Sequence, residues 1–251
     1  MRRISCFYHK ESVPMTTQSR RDFFFASSGA AGGSLLVPGL ASASEIGNPH
    51  FATSGLTTGN LKPLKHTEIP GFLSAQQIAP HHTAHYGGAL KTFVSIEAKF
   101  EDSFQKGTVI DPAAYETMQK QKSSRGNSVI LHEIYFDGLA LKAMVPAEPI
   151  RKAIDKRFGS MEKWSADFIS SARIAAGWAM LIQHPVNGRL YNVVSDEHAS
   201  GPLWFATPLV VIDVYEHAFY IDYQNKKADY IEKFMRHIDW TEANRRFLAP
   251  A

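Results

Sequence analysis

The sequence predicts an α+β protein, with an N-terminal helical hairpin domain followed by an α/β domain that holds a small three-stranded antiparallel sheet. Three observations indicate this class. Helix starts and helical periodicity dominate residues 71–145. From Trp178 onward the pattern changes to short apolar runs that are typical of strands. Two of these runs flank Asn187-Gly188, and Asn-Gly between apolar runs favours a β-hairpin. We therefore predict domains over residues 71–145 and 146–251.

Residues 1–43 differ from the rest of the chain. Arg20-Arg21 precede a weakly apolar stretch rich in Gly, Ala and Ser, and Ala41-Ser42-Ala43 follows as a cleavage pattern. Paired arginines before a mild apolar region are typical of a twin-arginine export signal. We expect the signal to be removed, which places the mature chain in the periplasm or outside the cell without stable membrane association. The alternative is a disordered N-terminal tail, and Met15 is a second candidate start.

The charge of the chain is concentrated in this leader. Five of the 27 Lys and Arg residues and two of the 24 Asp and Glu residues lie in residues 1–43, so 22 of each sign remain. Residues 44–251 therefore have a net charge of zero, which gives no reason to expect binding to nucleic acid. The only cysteine, Cys6, also lies in the leader. Any metal ion in the mature chain must therefore be held by His, Asp or Glu.

The elements of the N-terminal domain follow from cap and proline signals. Residues 44–70 lack a clear period and predict an extended lead-in. Ser74 predicts an N-cap, with Gln77 completing a capping box, and the helix should run to about Lys99 with a kink at Pro80. Two further helices are predicted, from Asp111-Pro112 to about Lys122 and over residues 127–141.

The C-terminal domain should begin with two helices and then turn to strands. Ser160 is a candidate N-cap for the second helix. The predicted elements are helices over residues 149–158 and 161–176, strands over 178–184, 189–195 and 208–214, and helices over 226–236 and 239–248.

The strongest chemical signal follows the third predicted strand. Asp213 and His217 lie four residues apart, directly after the apolar run 208–212. A carboxylate and an imidazole at a strand end suit a redox metal such as Fe or Mn. Three upstream positions could complete a site. His81 and His85 share one face of the first helix, and His132 lies in a helix suited to burial, where a lone histidine is more often a core residue than a ligand.

At this point the chain resembles a known family. The segment Asp213-Val214-Tyr215-Glu216-His217-Ala218-Phe219-Tyr220 is similar to the C-terminal metal signature of the iron/manganese superoxide dismutases, and the resemblance covers about residues 68–248. It implies conversion of superoxide to dioxygen and hydrogen peroxide by one Fe or Mn ion per subunit. The implied ligands are His81, His132, Asp213 and His217. A rival register makes His85 the first ligand; the preferred register needs no insertion after the helix start.

The resemblance also assigns residues around the metal. It implies that His198 hydrogen-bonds metal-bound solvent, that His85 lies beside the first ligand, and that Tyr135 and Tyr215, with Trp178, wall the site. Glu216 and Tyr220 are implied to contact a partner subunit in a homodimer; the glutamate reaches a ligand histidine there and the tyrosine the first-helix histidine.

Two family groups are missing from the sequence. The gateway tyrosine of the family becomes Ala89, or Phe93 in the rival register, and Ser128 stands where a glutamine could bind the solvent. Tyr86 or ordered water could substitute for the missing phenol. The main hypothesis is an exported superoxide dismutase. The alternative is a non-catalytic metal-binding protein on the same fold, and a weaker option is a related metal-dependent oxidase or peroxidase.

Overall fold

The structure is a computed structural model that describes residues 51–201 and 203–249. The predicted export signal lies outside these residues. None of the helices in the described part is both long and apolar enough to cross a membrane. The predicted class is confirmed, because a mostly helical first part leads into a part with helices and one three-stranded antiparallel sheet.

The lead-in is not wholly extended, which corrects the prediction for residues 44–70. A short helix, α1 (Gly55–Thr58), begins after Ser54, whose hydroxyl accepts a hydrogen bond from the N–H of Leu56. Helix α1 ends at Gly59, whose φ of 70° suits a glycine. The sequence has no apolar period here because four residues are too few to show one.

The first long helix is longer than predicted and changes its winding. It comprises α2 (Ala75–Pro80), a π-helical stretch (His81–Tyr86) and α3 (Gly87–Lys106), and it ends at Gly107 with φ 61°. Proline has no N–H to donate to the preceding turn, so the regular α-helical ladder is interrupted at Pro80. The chain responds with a wider π turn in place of the predicted kink, and π turns often occur at functional sites.

Ser74 is the N-cap of α2, as predicted, and its hydroxyl accepts a hydrogen bond from the N–H of Gln77. The predicted capping box is wrong. The Gln77 side chain instead donates from Nε2 to the carbonyl of His217 at 2.6 Å and accepts from the N–H of Ile221 at 2.9 Å. The Gln77 side chain therefore makes tertiary hydrogen bonds in place of the local bond that a capping box would require.

Residues 112–137 form one helix, α4 (Pro112–Asp137), where the sequence predicted two. The sequence predicted a break between about Lys122 and Asn127. In the structure Gly126 lies against the ring of Phe93 on α3, where an added Cβ would come within 3.1 Å of the ring. The glycine therefore allows the two helices to approach each other and does not end the helix.

The C-terminal part follows the prediction closely. Its helices are α5 (Glu148–Phe158), α6 (Met161–Ile174), α7 (Tyr220–Tyr223), α8 (Lys227–Phe234) and α9 (Trp240–Leu248). The strands are β1 (Trp178–His184), β2 (Arg189–Ser195) and β3 (Thr207–Asp213), in the order β2-β1-β3. Strand β1 is central, and its first residue, Trp178, pairs with Ser195 on one side and Asp213 on the other. Helix α4 packs against α3 and β3, which brings both parts of the chain to Asp213.

Candidate metal centre

Four side chains converge at the end of β3. They are His81, His132, Asp213 and His217, and one nitrogen or oxygen atom of each lies within 4.8 Å of the corresponding atoms of the others. The carboxylate is at the centre of the group. Its Oδ2 lies 3.1 Å from Nε2 of His81, 3.2 Å from Nε2 of His217 and 3.6 Å from Nε2 of His132.

Each of these residues is placed by a different element. His81 is the first residue of the π turn and His132 lies within α4. Asp213 ends β3, and His217 belongs to the 3₁₀ turn Glu216–Ala218 that follows. His81, His132 and Asp213 are all at most 1% exposed, whereas His217 is partly exposed. Three helical or turn segments and one strand therefore have to pack correctly before the group forms.

The environment of His132 fits a bound cation. Its Nδ1 donates to the backbone carbonyl of Ser128 at 2.7 Å, so in the neutral ring the lone pair is on Nε2. That Nε2 is buried and has no hydrogen-bond partner among the described residues, although it faces the Asp213 carboxylate. Two acceptors that face each other in a buried site repel unless a cation lies between them. The donor set of three imidazoles and one carboxylate suits Fe or Mn.

Asp213 is held as a carboxylate. Burial alone would raise its pKa, but hydrogen bonds from His217 and His81 outweigh burial and keep the pKa well below its usual range. Its second oxygen, Oδ1, accepts a hydrogen bond from the backbone N–H of Tyr215 at 3.0 Å. The negative charge that a metal ion would need is therefore present at neutral pH.

The buried histidines are held neutral. Burial lowers the pKa of His81, and it lowers that of His132 to about 3, where the nearby His81 adds to the effect. A neutral imidazole has a lone pair to offer a metal ion. In His132 that lone pair is on Nε2, the nitrogen that faces the centre.

His217 is fixed through its backbone and its ring. Gln77 binds its carbonyl, and the rings of Tyr215 and His85 lie against it in near-parallel orientation, with ring centroids 5.3 and 3.8 Å away. His85 is exposed and does not belong to the group of four. It covers the outer face of His217, while His81 takes the inner position.

His198 lies at the edge of the centre. The indole N–H of Trp178 donates to its Nδ1 at 3.0 Å, so a neutral His198 carries its proton on Nε2. Burial lowers its pKa, which favours the neutral ring. Its carbonyl accepts from the amide of Asn127 at 2.9 Å, and its ring centroid is 6.2 Å from that of His132. The loop is thus tied to both the sheet and α4.

The predicted wall residues surround the group. The ring centroid of Tyr135 lies 5.4 Å from that of His81, and the ring centroid of Trp178 lies 5.1 Å from that of His132. The hydroxyl of Tyr215 donates to the carbonyl of Asp196 at 3.0 Å. The buried Tyr135 hydroxyl has a partner that the sequence reasoning did not single out, Tyr230.

Tyr230 holds the end of β3. Its hydroxyl donates to the carbonyl of Asp213 at 2.8 Å, so the hydrogen bond of 3.0 Å between the two phenols runs from Tyr135 to Tyr230. Burial raises the pKa of both phenols. Gln77 and Tyr230 each act on the backbone of a candidate ligand, and no sequence spacing marks such contacts.

The missing phenol is not replaced by a neighbouring tyrosine. Ala89 is buried, and Phe93 packs on Gly126. The hydroxyl of Tyr86 donates to Glu133 at 2.8 Å and accepts from the N–H of Lys62 at 2.9 Å, so its one proton is already engaged. Tyr86 is therefore not a substitute donor.

The two residues assigned to a subunit interface lie on the surface of the chain. Glu216 belongs to the same 3₁₀ turn as His217 and is exposed, and Tyr220 is 50% exposed at the start of α7. Both are therefore accessible to a second subunit next to the candidate centre.

Comparison with known proteins gives a consistent result. A family model described as "Iron/manganese superoxide dismutases, C-terminal domain" matches residues 146–246. A protein named "Superoxide dismutase [Fe]" from Cupriavidus metallidurans is 33% identical over 180 residues, which are 70% of this chain and 89% of that protein. A protein of the same name from Aquifex aeolicus is 34% identical over 188 residues, which are 73% of this chain and 88% of that protein. "Superoxide dismutase [Mn] 2" from Haloferax volcanii is 27% identical over 186 residues, which are 74% of this chain and 92% of that protein.

The two neighbouring histidines of the first helix can be told apart by mutation. We expect His81→Ala to lose bound Fe or Mn, because it removes a buried nitrogen from the group of four. His85→Ala is the matched control on the same helix and should retain the metal. Metal content per chain after purification measures both. Loss of the metal from His85→Ala but not from His81→Ala would show that His85 is the ligand.

Proposed function

The chain belongs to the iron/manganese superoxide dismutase family, and we propose that it converts two superoxide anions and two protons to dioxygen and hydrogen peroxide. The single observation that carries this proposal is the buried group of three histidines around Asp213, with a bare Nε2 on His132. A bound Fe or Mn ion, one per subunit, supplies the one-electron redox chemistry by alternating between its trivalent and divalent states.

The side chains of the centre set its charge. Three neutral imidazoles and one carboxylate carry a single negative charge, which leaves a bound divalent or trivalent ion with net positive charge. Superoxide is an anion and is attracted to such a site, the more so because burial lowers the effective dielectric. The low pKa of Asp213 keeps this balance constant across neutral pH.

Protons must be supplied for peroxide to form. His198 holds a proton on Nε2, since its Nδ1 accepts from Trp178. This N–H is the group we assign to hydrogen-bond the solvent or the reduced oxygen species in the centre. Trp178, Tyr135 and Tyr215 exclude bulk water, so that these hydrogen bonds set the reactivity of the centre.

The alternative of a non-catalytic metal-binding protein is not favoured. All four candidate ligands come together, and the relatives described above are named superoxide dismutases. The loss of the gateway phenol at Ala89 changes the surroundings of the centre and leaves the group of four intact.

The activity can be tested on residues 44–251. The metal-loaded chain should remove superoxide, whereas Asp213→Ala should lose both metal and activity, because the remaining histidines would have no carboxylate to balance the ion. Bound metal and superoxide removal are measured on the same samples. A fully loaded wild-type chain that does no better than Asp213→Ala would refute the dismutase activity.

We further propose a homodimer whose interface includes Glu216 and Tyr220. Both residues are exposed beside His217 and His85, and family membership supports a contact of this kind across a twofold axis. The interface would then shield the exposed face of the two histidines and support both centres.

The dimer is tested by mass in solution. The mature chain should scatter light as a dimer, and Tyr220→Ala should shift it toward monomer. Tyr115→Ala is the control, because Tyr115 is similarly exposed, at 45% against 50%, but lies at the start of α4. A wild-type chain that is monomeric and fully active would exclude the proposed interface.

We also propose that the chain is exported by the twin-arginine route, which carries folded proteins. The support is the paired arginines and the cleavage pattern in residues 1–43. Replacing Arg20 and Arg21 with lysine should retain the protein in the cytoplasm, as measured by cell fractionation. The same replacement of Arg2 and Arg3, a second arginine pair outside the motif, is the control. Unchanged export of the Arg20/Arg21 variant would contradict the proposal.

A further inference from the structure

Residues 51–62, called the strap here, precede the part of the chain that carries the centre and lie along α3 and α4. Three backbone groups attach the strap. The N–H of Gly55 donates to Oε1 of Glu133 at 2.7 Å, the N–H of Lys62 donates to the hydroxyl of Tyr86 at 2.9 Å, and the carbonyl of Lys62 accepts from Nε2 of His82 at 2.8 Å.

Glu133 is the unusual member of these contacts. It is a carboxylate only 5% exposed, and no lysine, arginine or histidine of the described chain forms an ion pair with it. Its Oε1 accepts from both Gly55 N–H and the Tyr86 hydroxyl. A buried carboxylate is costly unless hydrogen bonds compensate it. The strap therefore provides one of the two donors that allow Glu133 to remain buried.

The attachment points are adjacent to the candidate ligands in sequence. Glu133 directly follows His132, and His82 directly follows His81. The strap thus binds the residue after each of the two ligands that the N-terminal helices provide. A movement of the strap would act on both helices at the level of the centre.

The strap also lies beside the position of the missing phenol. Ala89 is 2% exposed. A Cβ added to Gly55 would come within 2.8 Å of both the Leu90 side chain and the Tyr86 hydroxyl, and a Cβ added to Gly87 would meet the side chain of Leu61 at 3.4 Å. The strap therefore packs against the helix residues on both sides of Ala89.

We propose that Glu133 is a positioning residue that fastens the strap across the two helices and so fixes His81 and His132 at the metal centre. The inference rests on the proposed function in so far as that centre holds Fe or Mn. Glu133 acts through Tyr86, Gly55 and the helix backbone, and it does not itself join the group of four.

Two substitutions, each with its own control, separate loss of the acceptor from displacement of the strap. Glu133→Ala removes the acceptor, whereas Glu133→Gln keeps an oxygen for both donors. Gly55→Ala displaces the strap and leaves Glu133 in place, because the added Cβ would lie 2.8 Å from the Tyr86 hydroxyl, which is held by two hydrogen bonds and is not free to move away. Gly88→Ala is the matched control, since an added Cβ there meets nothing within 4 Å.

Two measurements decide the proposal. The first is amide hydrogen exchange over residues 55–62, 81–86 and 128–136 in the metal-free chain. The second is the rate at which EDTA removes the metal from the loaded chain. We expect Glu133→Ala and Gly55→Ala to speed exchange in all three segments and to speed metal release about tenfold, the scale typical of residues that orient metal ligands. Glu133→Gln and Gly88→Ala should behave like wild type.

A merely structural strap gives a different result. Faster exchange confined to residues 55–62, with metal release unchanged, would overturn the proposal, as would Glu133→Gln behaving like Glu133→Ala. If Glu133→Ala does not fold, Gly55→Ala decides alone. A wild-type chain that binds no metal would instead count against the proposed function, and hydrogen exchange in the metal-free chain would still test the strap.

Discussion

The arrangement of the centre depends on one unfavourable contact between two buried acceptors. The Nε2 of His132, which has no hydrogen-bond partner among the described residues, faces the carboxylate of Asp213. Neither group can be moved to relieve it. His132 is held by the carbonyl of Ser128, and the carbonyl of Asp213 is held by the phenol of Tyr230. Both acceptors are therefore preorganised against each other, and a cation between them turns repulsion into binding free energy.

Contacts between distant parts of the chain keep the arrangement in place. Gln77, in the first helix, holds the backbone of His217, 140 residues further on. Trp178 pairs with Asp213 across the sheet and donates to His198, so one residue connects the strand that ends at the carboxylate with the loop that holds His198. Such contacts join the helical part to the sheet, which explains why no single segment could form the centre alone.

The sequence predicted the elements whose signals are local. The Asn187-Gly188 turn fixes the hairpin register, so the bounds of β1 and β2 agree with prediction. The group of four was predicted through a strand-end pair and a family resemblance. The sequence did not predict the continuous α4, because the packing of Gly126 against Phe93 of α3 is a tertiary contact that no local signal shows. Nor did it predict the role of Gln77, since a local capping motif and a tertiary contact compete for the same side chain.

The hydroxyls around the centre do not take the place of the gateway phenol. Tyr86 donates to a buried carboxylate, Tyr215 donates to a backbone carbonyl, and Tyr135 donates to Tyr230, which donates onward to Asp213. Each of these hydroxyls therefore already donates its one proton to a partner within the chain. The Nε2–H of His198 has no hydrogen-bond partner within the described chain, and Trp178 fixes its tautomer. The proton supply that we propose through His198 would therefore lie on the loop between β2 and β3 and not on the helix face, where the family resemblance expects the phenol.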